Sequence, residues 1–287
     1  MGGVGLSIEK RRTKVNAMID IDTLIHEAND FEPLPESVTR LVALLGEDDV
    51  DAKEIEQVFA LDGALTAKLL RQANSAASGS QRTIGTVSAA IVRLGRGSLM
   101  AMAVAAAAQK QLARTVEGSL WIHARTARYA TELLRRHCQL AMPVETETAA
   151  LLHDIGKVVL ARHLDEKTTD LLERAARQYP QDQAFRSEKE ILNVHHGEVG
   201  ALIAQHWDLP DSIVRGILYH HEPYECVETD SRICHVVCVA NWLAHRAACE
   251  RQADADTLPK PPSVDELGIS SDQVDQVVAG VIEMMNG

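Results

Sequence analysis

The stretch LLHDIGKVVL, from Leu151 to Leu160, places a histidine beside an aspartate inside an apolar run. Burying His153 and Asp154 among such neighbours costs free energy unless each polar group finds a partner. A metal ion or a matching set of hydrogen bonds is the usual partner. The alternative is a helix that carries the pair at its solvent edge. Residues on either side of the run bear on the choice.

Further polar side chains interrupt apolar helical stretches in the second half of the chain. Facing helices of a bundle build metal sites by pointing such side chains inward. Imidazoles with one bridging carboxylate suit iron, manganese, zinc or nickel. We therefore expect a divalent transition metal as cofactor, although any single histidine could instead be a hydrogen-bonded core residue. The candidate ligands are His123, His153, Asp154, His196, His220, His221 and Asn241.

Helical periodicity extends through most of the chain. Val38, Leu41, Val42 and Leu45 repeat at the spacing of one helix face. One helix is predicted from Glu188 to Gln205. We therefore predict an all-α fold, a helical bundle in which an N-terminal helical half packs on a second helical half.

The domain organisation follows from composition. Residues 1–20 are predicted to be a flexible arm, 21–117 the first helical half and 118–252 the second. Pro259, Pro261 and Pro262 mark residues 253–262 as a linker. The remaining residues to 287 carry an amphipathic helix with a stripe of valines. This helix either docks on the body of the chain or is free to meet a partner.

Composition limits the classes of partner. The chain has 287 residues, a net charge of −12 and only 3% aromatic residues. An acidic chain is a poor default binder of a nucleic-acid backbone, and few aromatics leave few stacking platforms. Its longest apolar run, Leu99 to Ala108, is short for a membrane span. We expect a cytoplasmic protein with no nucleic-acid or membrane partner. DNA binding through a helix-turn-helix-like stretch in the first half is the alternative.

The order of the polar residues resembles the HD superfamily of metal-dependent phosphohydrolases, and in particular its HD-GYP branch. Other segments make the chain similar to the HDOD family, the HD-related output domains, over about residues 24–250. The resemblance implies an all-helical bacterial signalling fold that is generally regarded as non-enzymatic and acts on a regulatory or signalling protein. The segments are FEPLPESVTRLVALL (31–45), LDGALTAKLLRQANSA (61–76), TVSAAIVRLG (86–95), LLHDIGKVVL (151–160), HGEVGALIAQHWDLP (196–210) and VCVANWLA (237–244).

Departures from the enzymes of this superfamily bear on the chemistry. Catalytic HD proteins close the site with an aspartate where this chain has Asn241. An asparagine can offer a carbonyl oxygen, but it brings no negative charge and accepts no proton. The Gly-Tyr-Pro segment is replaced by Glu222-Pro223-Tyr224-Glu225, and Ser119 stands where some HD-GYP proteins place a glutamate ligand. A metal among His123, His153, Asp154 and Asn241 is therefore weakened, whereas one among Asp154, His196, His220 and His221 keeps its matching ligands.

Two functional hypotheses follow. The first is a non-catalytic signalling module that binds another protein, with Leu34, Leu65, Leu69 and Asn74 at an interaction surface; plain core packing is the alternative for the leucines. The second is a metal-dependent phosphohydrolase or phosphodiesterase in which Lys157 contacts substrate phosphate, as the resemblance implies. The alternative for Lys157 is a surface lysine. A homo-oligomer is left open.

Overall fold

A computed structural model of the chain describes residues 23, 25–26, 28, 30–47, 49–75, 84–112, 118–176, 184–227, 231–251 and 258–286. Over these residues it contains helices, turns and irregular links, and no strand. The predicted all-α bundle is confirmed. The predicted arm, residues 1–20, lies outside the described residues, and the boundaries near residues 117 and 252 fall between described ranges and stay predictions.

The first half consists of α1 (Glu36–Gly46), α2 (Ala52–Leu61), α3 (Gly63–Ser75) and α4 (Val87–Leu112). The predicted stripe of α1 is buried, and α1 and α3 both pack on α4. Asp51 begins α2, where its side chain accepts a hydrogen bond from the backbone N–H of Lys53 at 2.9 Å. Gly95 bends α4 because its φ of 76° lies in the left-handed region that favours glycine.

The second half supplies the candidate ligands. Its helices are α5 (Gly118–His137), α6 (Thr146–Leu152), α7 (Gly156–His163), α8 (Glu166–Ala176), α9 (Phe185–Leu192), α10 (His196–His206), α11 (Asp211–Leu218) and α12 (Arg232–Arg251), with a 3-10 turn at Pro223–Glu225. α5, α6, α11 and α12 pack together, and α10 lies against both α7 and α11. The ends of these helices therefore meet in one region.

The C-terminal residues form α13 (Ser263–Glu266) and α14 (Ser271–Asn286). Val274, Val277, Val278 and Val281 are buried where α14 packs on α5 and α12. Of the alternatives for this helix, the structure shows docking on the body of its own chain.

One described helix, over Val87–Gln109, is long and apolar enough by length and composition to cross a membrane. A core helix of a bundle passes the same test. Here Leu99, Met100, Ala103 and Val104 are completely buried, and the helix packs on α1, α3 and α6. Its packing is that of a core helix.

The prediction of a single helix from Glu188 to Gln205 is wrong. α9 ends at Leu192, and Asn193 adopts a left-handed conformation with φ 58°. α10 then begins after His195, whose side chain caps the helix in a reciprocal pair with Glu198. The break turns the chain, so that His196 stands at the start of a helix and not in the middle of one.

The leucines assigned to an interaction surface lie in the core instead. Leu34, Leu65 and Leu69 are buried in the main hydrophobic cluster. The side-chain amide of Asn74 bonds to the carbonyl groups of Leu70 and Ile84, and its oxygen accepts the N–H of Ile84. These residues hold the first half together, which favours the packing alternative.

Candidate metal centre

Every ligand position predicted from the sequence lies in one cluster at the ends of the second-half helices. His153 and Asp154 are buried in the tight turn between α6 and α7 and both have polar partners, so the alternative of a helix with the pair at its solvent edge does not describe them. His196 begins α10, and His220 and His221 follow the end of α11. His123 on α5 and Asn241 on α12 complete the cluster from the opposite side. All are buried or half-buried.

Asp154 lies at the centre, with one carboxylate oxygen on each side. Oδ1 is 3.1 Å from Nε2 of His196. Oδ2 is 3.4 Å from Nε2 of His153 and 3.7 Å from Nε2 of His123. Burial alone would raise the pKa of this carboxyl, but the nearby His153 and Lys157 outweigh burial and hold the pKa well below its usual range. Asp154 is therefore an anion that can serve two cation positions.

Backbone and carboxylate partners fix which nitrogen of several histidines carries the proton. Nδ1 of His153 lies 2.8 Å from the carbonyl oxygen of Ala150, and Nδ1 of His220 lies 2.7 Å from that of Ile217. A carbonyl oxygen only accepts, so both nitrogens donate. Their Nε2 atoms point inward, towards the rest of the cluster. Histidines that ligate metals are held in the same way.

His196 is held by a carboxylate. Nδ1 of His196 is 2.7 Å from Oε2 of Glu188, which also accepts the backbone N–H of His196 at 2.7 Å. Nε2, on the other side of the ring, faces Oδ1 of Asp154 at 3.1 Å. Burial disfavours a second proton on His196, yet the Glu188 carboxylate outweighs burial and raises the pKa.

The Nε2 atoms on this side converge on one space. Nε2 of His196 lies 3.3 Å from that of His220 and 3.0 Å from that of His221. Burial and neighbouring histidines lower the pKa of His220 and of His221 well below the usual range, so both stay neutral. Ring nitrogens that converge in this way beside a buried carboxylate can share a proton or bind a cation among them.

The residues on this side therefore fit a metal ion. Nitrogen atoms of His196, His220 and His221 lie within 4.8 Å of one another. Together with Oδ1 of Asp154 they offer three imidazoles and a carboxylate oxygen, a donor set that suits zinc, iron, manganese or nickel. We call these four residues the retained half of the centre.

On the other side, possible ligand atoms of His123, His153 and Asp154 also lie within 4.8 Å of one another, but the fourth residue there is Asn241; we call these four residues the closed half. Nε2 of His123 is 2.9 Å from Oδ1 of Asn241. An amide oxygen only accepts, so in this arrangement His123 donates from Nε2, the nitrogen that would otherwise face a metal ion. Burial and the nearby His245 lower the pKa of His123 well below the usual range, so the ring is neutral. A hydrogen bond thus joins the two groups that a metal would otherwise join.

Lys157 lies at the edge of the cluster. Its Nζ is 2.8 Å from Oδ2 of Asp154, and its side chain is 36% exposed. It is neither a remote surface lysine nor a buried one. The ammonium group faces the closed half and remains within reach of solvent.

Residues outside the predicted set support the cluster. Glu188 orients His196, and the ring of Phe185 stacks on His221 with centroids 4.2 Å apart. His245, predicted to be filler, lies with its ring centroid 4.3 Å from that of His123, and burial lowers its pKa to about 4. Helical spacing could have found His245, because it lies one turn after Asn241. No sequence signal pointed to Glu188 or Phe185, which belong to a different helix.

Gly156 lets the two ligand-bearing segments approach. A Cβ atom added at this position would lie 1.9 Å from the carbonyl oxygen of His196 and 2.7 Å from the backbone nitrogen of Gly200. Only glycine permits α7 and α10 to touch backbone to backbone here. This contact places Asp154, just before α7, beside His196 at the start of α10.

Comparisons with known proteins agree with this fold. The profile of the HDOD domain matches residues 31–223. An uncharacterized protein from Treponema pallidum (strain Nichols) is 27% identical over 240 residues, 82% of this chain and 45% of that protein. The chain thus spans less than half the length of that relative.

Solved structures share the architecture. An HDOD domain protein with unknown function from Geobacter sulfurreducens has a TM-score of 0.64 at 23% identity, over 93% of this chain and 96% of that one. A protein from Marinobacter aquaeolei VT8, named as a candidate signal transduction protein, has a TM-score of 0.66 at 22% identity, over 97% of this chain and 62% of that one. At such identity these likenesses concern the fold alone.

Proposed function

Because the chain belongs to the HDOD domain family, we propose that it is a non-catalytic signal-transduction module that binds a protein partner and holds one divalent transition-metal ion. The ion would bind at the retained half, to Asp154, His196, His220 and His221. The observation that carries the proposal is the hydrogen bond from His123 to Asn241, which closes the other half of the centre.

The closed half argues against hydrolysis. In the HD enzymes that this chain resembles, an aspartate stands at the position of Asn241. Two metal ions a few ångströms apart clamp the attacking and leaving oxygens in hydrolases of the two-metal type. The amide of Asn241 supplies neither the negative charge nor the proton acceptor for such a clamp.

The retained half suits a structural or sensing role. Its ligands come from the turn before α7, from the start of α10 and from the end of α11. A metal ion bound there would tie these three elements together. An ion that binds only the folded chain stabilises it by about 2.7 kcal/mol when its concentration is a hundred times Kd.

A protein partner would need an exposed surface. Leu34, Leu65 and Leu69 are buried, so they do not provide it. Leu61 at the end of α2 and Val92 on α4 are 82% and 87% exposed, respectively. We propose these two side chains of the first half, in place of the buried leucines, as contacts for a regulatory or signalling protein.

Hydrolysis of bis(p-nitrophenyl) phosphate by the chain loaded with manganese, iron, zinc or nickel tests the non-catalytic part of the proposal. We expect the wild type to release nitrophenol no faster than His220→Ala, a variant that lacks a ligand of the retained half. A wild-type rate well above that of His220→Ala, in preparations with the same helical content, would contradict the proposal.

A metal-dependent phosphohydrolase is the second candidate. It is favoured by Lys157, whose half-exposed ammonium lies beside Asp154, where the resemblance places a contact to substrate phosphate. If the chain does hydrolyse phosphodiesters, Lys157→Ala should raise KM or lower kcat while the retained-half ion stays bound. Lys260→Ala, which changes an exposed lysine paired with Asp265, serves as the control.

A further inference from the structure

The two oxygens of the Asp154 carboxylate face different sides of the centre. Oδ1 faces His196 and the retained half, at 3.1 Å. Oδ2 faces the closed half, where its nearest neighbour is Nζ of Lys157 at 2.8 Å, closer than His153 at 3.4 Å or His123 at 3.7 Å. The ammonium group therefore lies on the oxygen that a second metal ion would share.

We propose that the Lys157 ammonium takes the place of the second metal ion, so that the centre is built for one ion and one lysine. The inference rests on the proposed function, because it takes the retained half to be a metal site. It adds that the Lys157 ammonium occupies the closed half, in addition to the absence of a carboxylate at Asn241.

The charges of the closed half balance under this assignment. The half contains one shared carboxylate oxygen, the uncharged amide of Asn241 and the imidazoles of His123 and His153. A single positive charge is enough to compensate the share of the Asp154 charge that faces this side. A dication on this side would share its single carboxylate with both the retained half and the ammonium group, because Asn241 provides no charge.

The local backbone holds the lysine in place. Lys157 follows Asp154 by three residues across the start of α7, and its backbone N–H bonds to the carbonyl oxygen of Asp154 at 3.0 Å. Side chains at this spacing lie on the same side of a helical turn. Asp154 itself is 3% exposed, so solvent reaches the ion pair from the side of the lysine.

Replacing Asn241 distinguishes a metal position that is filled by the Lys157 ammonium from one that only lacks a carboxylate ligand. If the missing carboxylate were the only defect, Asn241→Asp would by itself restore a second ion. If the ammonium fills the position, Asn241→Asp alone would leave the lysine repelling a dication. The second ion should then bind only after Lys157 is also replaced by a neutral side chain of similar length.

Manganese stoichiometry tests this point. Full-length chains are loaded with Mn²⁺, desalted and analysed for manganese by plasma mass spectrometry. Electron paramagnetic resonance distinguishes an isolated Mn²⁺ from an exchange-coupled pair. The chains are the wild type, Asn241→Asp, Asn241→Asp with Lys157→Met, and, as a control for loss of a lysine, Asn241→Asp with Lys260→Met.

We expect one ion per chain in the wild type, in Asn241→Asp and in the Lys260 control, and two coupled ions in Asn241→Asp with Lys157→Met. Two ions in Asn241→Asp alone, or one ion in the Lys157 double variant with intact helical content, would overturn the inference and leave the proposed function standing. A wild type that binds no Mn²⁺, Fe²⁺, Zn²⁺ or Ni²⁺ would overturn both. If the double variant with methionine does not fold, Lys157→Gln replaces it under the same criterion.

Discussion

His196 owes its orientation to one carboxylate on a neighbouring helix. Oε2 of Glu188 lies 2.7 Å from both Nδ1 and the backbone nitrogen of His196. Such partners fix the tautomer of a ligating histidine and make the ring a stronger donor to metals. Glu188 therefore supports the retained half by orienting His196, although Glu188 itself does not face the metal position.

Replacing Glu188 by glutamine should weaken metal binding and leave the fold intact. The amide can accept from Nδ1 but carries no charge, so we expect the metal Kd to rise by about 10- to 100-fold. Titration against a chelator of known affinity measures this change. Glu190→Gln, on the exposed side of the same helix, should bind metal as the wild type does. Equal metal affinity in the two variants would contradict the proposed role of Glu188.

Gly156 is a second single residue on which the site depends, because the close contact there leaves no room for a side chain. Gly156→Ala would put a methyl group 1.9 Å from the carbonyl oxygen of His196. The backbones must then move apart, and we expect the free energy of unfolding to fall by about 3 kcal/mol or more. Gly63→Ala is the matched control, because nothing lies within 4 Å of the added Cβ and alanine in place of a helical glycine gains roughly 0.4–1 kcal/mol. Urea unfolding measures the free energy of unfolding of both variants. A decrease for Gly156→Ala well below the expected value would contradict the close contact.

At the scale of the elements, one buried carboxylate joins the two halves of the chain. Glu147 on α6 accepts from Ser98 on α4 at 2.8 Å and from Arg128 on α5 at 2.9 Å, and it lies 3.3 Å from Arg135. Its side chain is 2% exposed, whereas the arginines are partly open to solvent. α6 ends directly before His153, so this network also anchors the turn that carries Asp154.

Glu147→Ala should therefore destabilise the chain substantially. Removing one partner of a fully buried ion pair costs about 3–5 kcal/mol, and we expect about 2–3 kcal/mol because both arginines keep some contact with water. Glu132→Ala, which removes partly exposed pairs with Arg128 and Arg136, should cost less than about 1 kcal/mol. Thermal unfolding followed by circular dichroism measures both changes. Equal costs would mean that Glu147 is not the anchor we describe.

Sequence reasoning succeeded where helices are long and periodic. The stripes of α1 and α14 were read directly from valine and leucine spacing, and both are buried as predicted. It failed at short breaks inside polar stretches. Asn193 ends α9 through a left-handed residue, and no apolar period changes there. The turn at His153 and Asp154 was likewise hidden, because apolar residues continue on both sides of it.

At the candidate metal centre, the sequence identified residues but not the contacts between them. Residue types and their order in the chain were sufficient to name the histidines, the aspartate and Asn241 as candidate ligands. The order could not reveal that His123 donates to Asn241, that Lys157 points at Oδ2 of Asp154, or that Glu188 reaches His196 from another helix. These contacts depend on how α5, α9 and α12 pack, and sequence spacing does not encode distances between helices.

At the scale of the whole molecule, direct contacts tie the first residues of the HDOD match to the far end of α10. His206 Nε2 donates to the carbonyl oxygen of Phe31 at 2.8 Å, and the indole N–H of Trp207 donates to that of Glu32 at 3.1 Å. The rings of Phe31 and Trp207 meet edge to face. Since α10 begins at the candidate ligand His196, this one helix connects the first half to the retained half of the centre. A metal ion bound at the start of α10 would thereby also stabilise the first half.

The central claim of this account is that Asp154, His196, His220 and His221 hold a metal ion. Elemental analysis of untagged protein, purified without chelator, tests it most directly by plasma mass spectrometry. We predict about one transition-metal ion per chain in the wild type, loss of that ion in His220→Ala, and its retention in His137→Ala, which changes an exposed histidine at the end of α5. A wild-type chain that folds fully but binds no transition metal, or a His220→Ala variant that keeps it, would contradict the account.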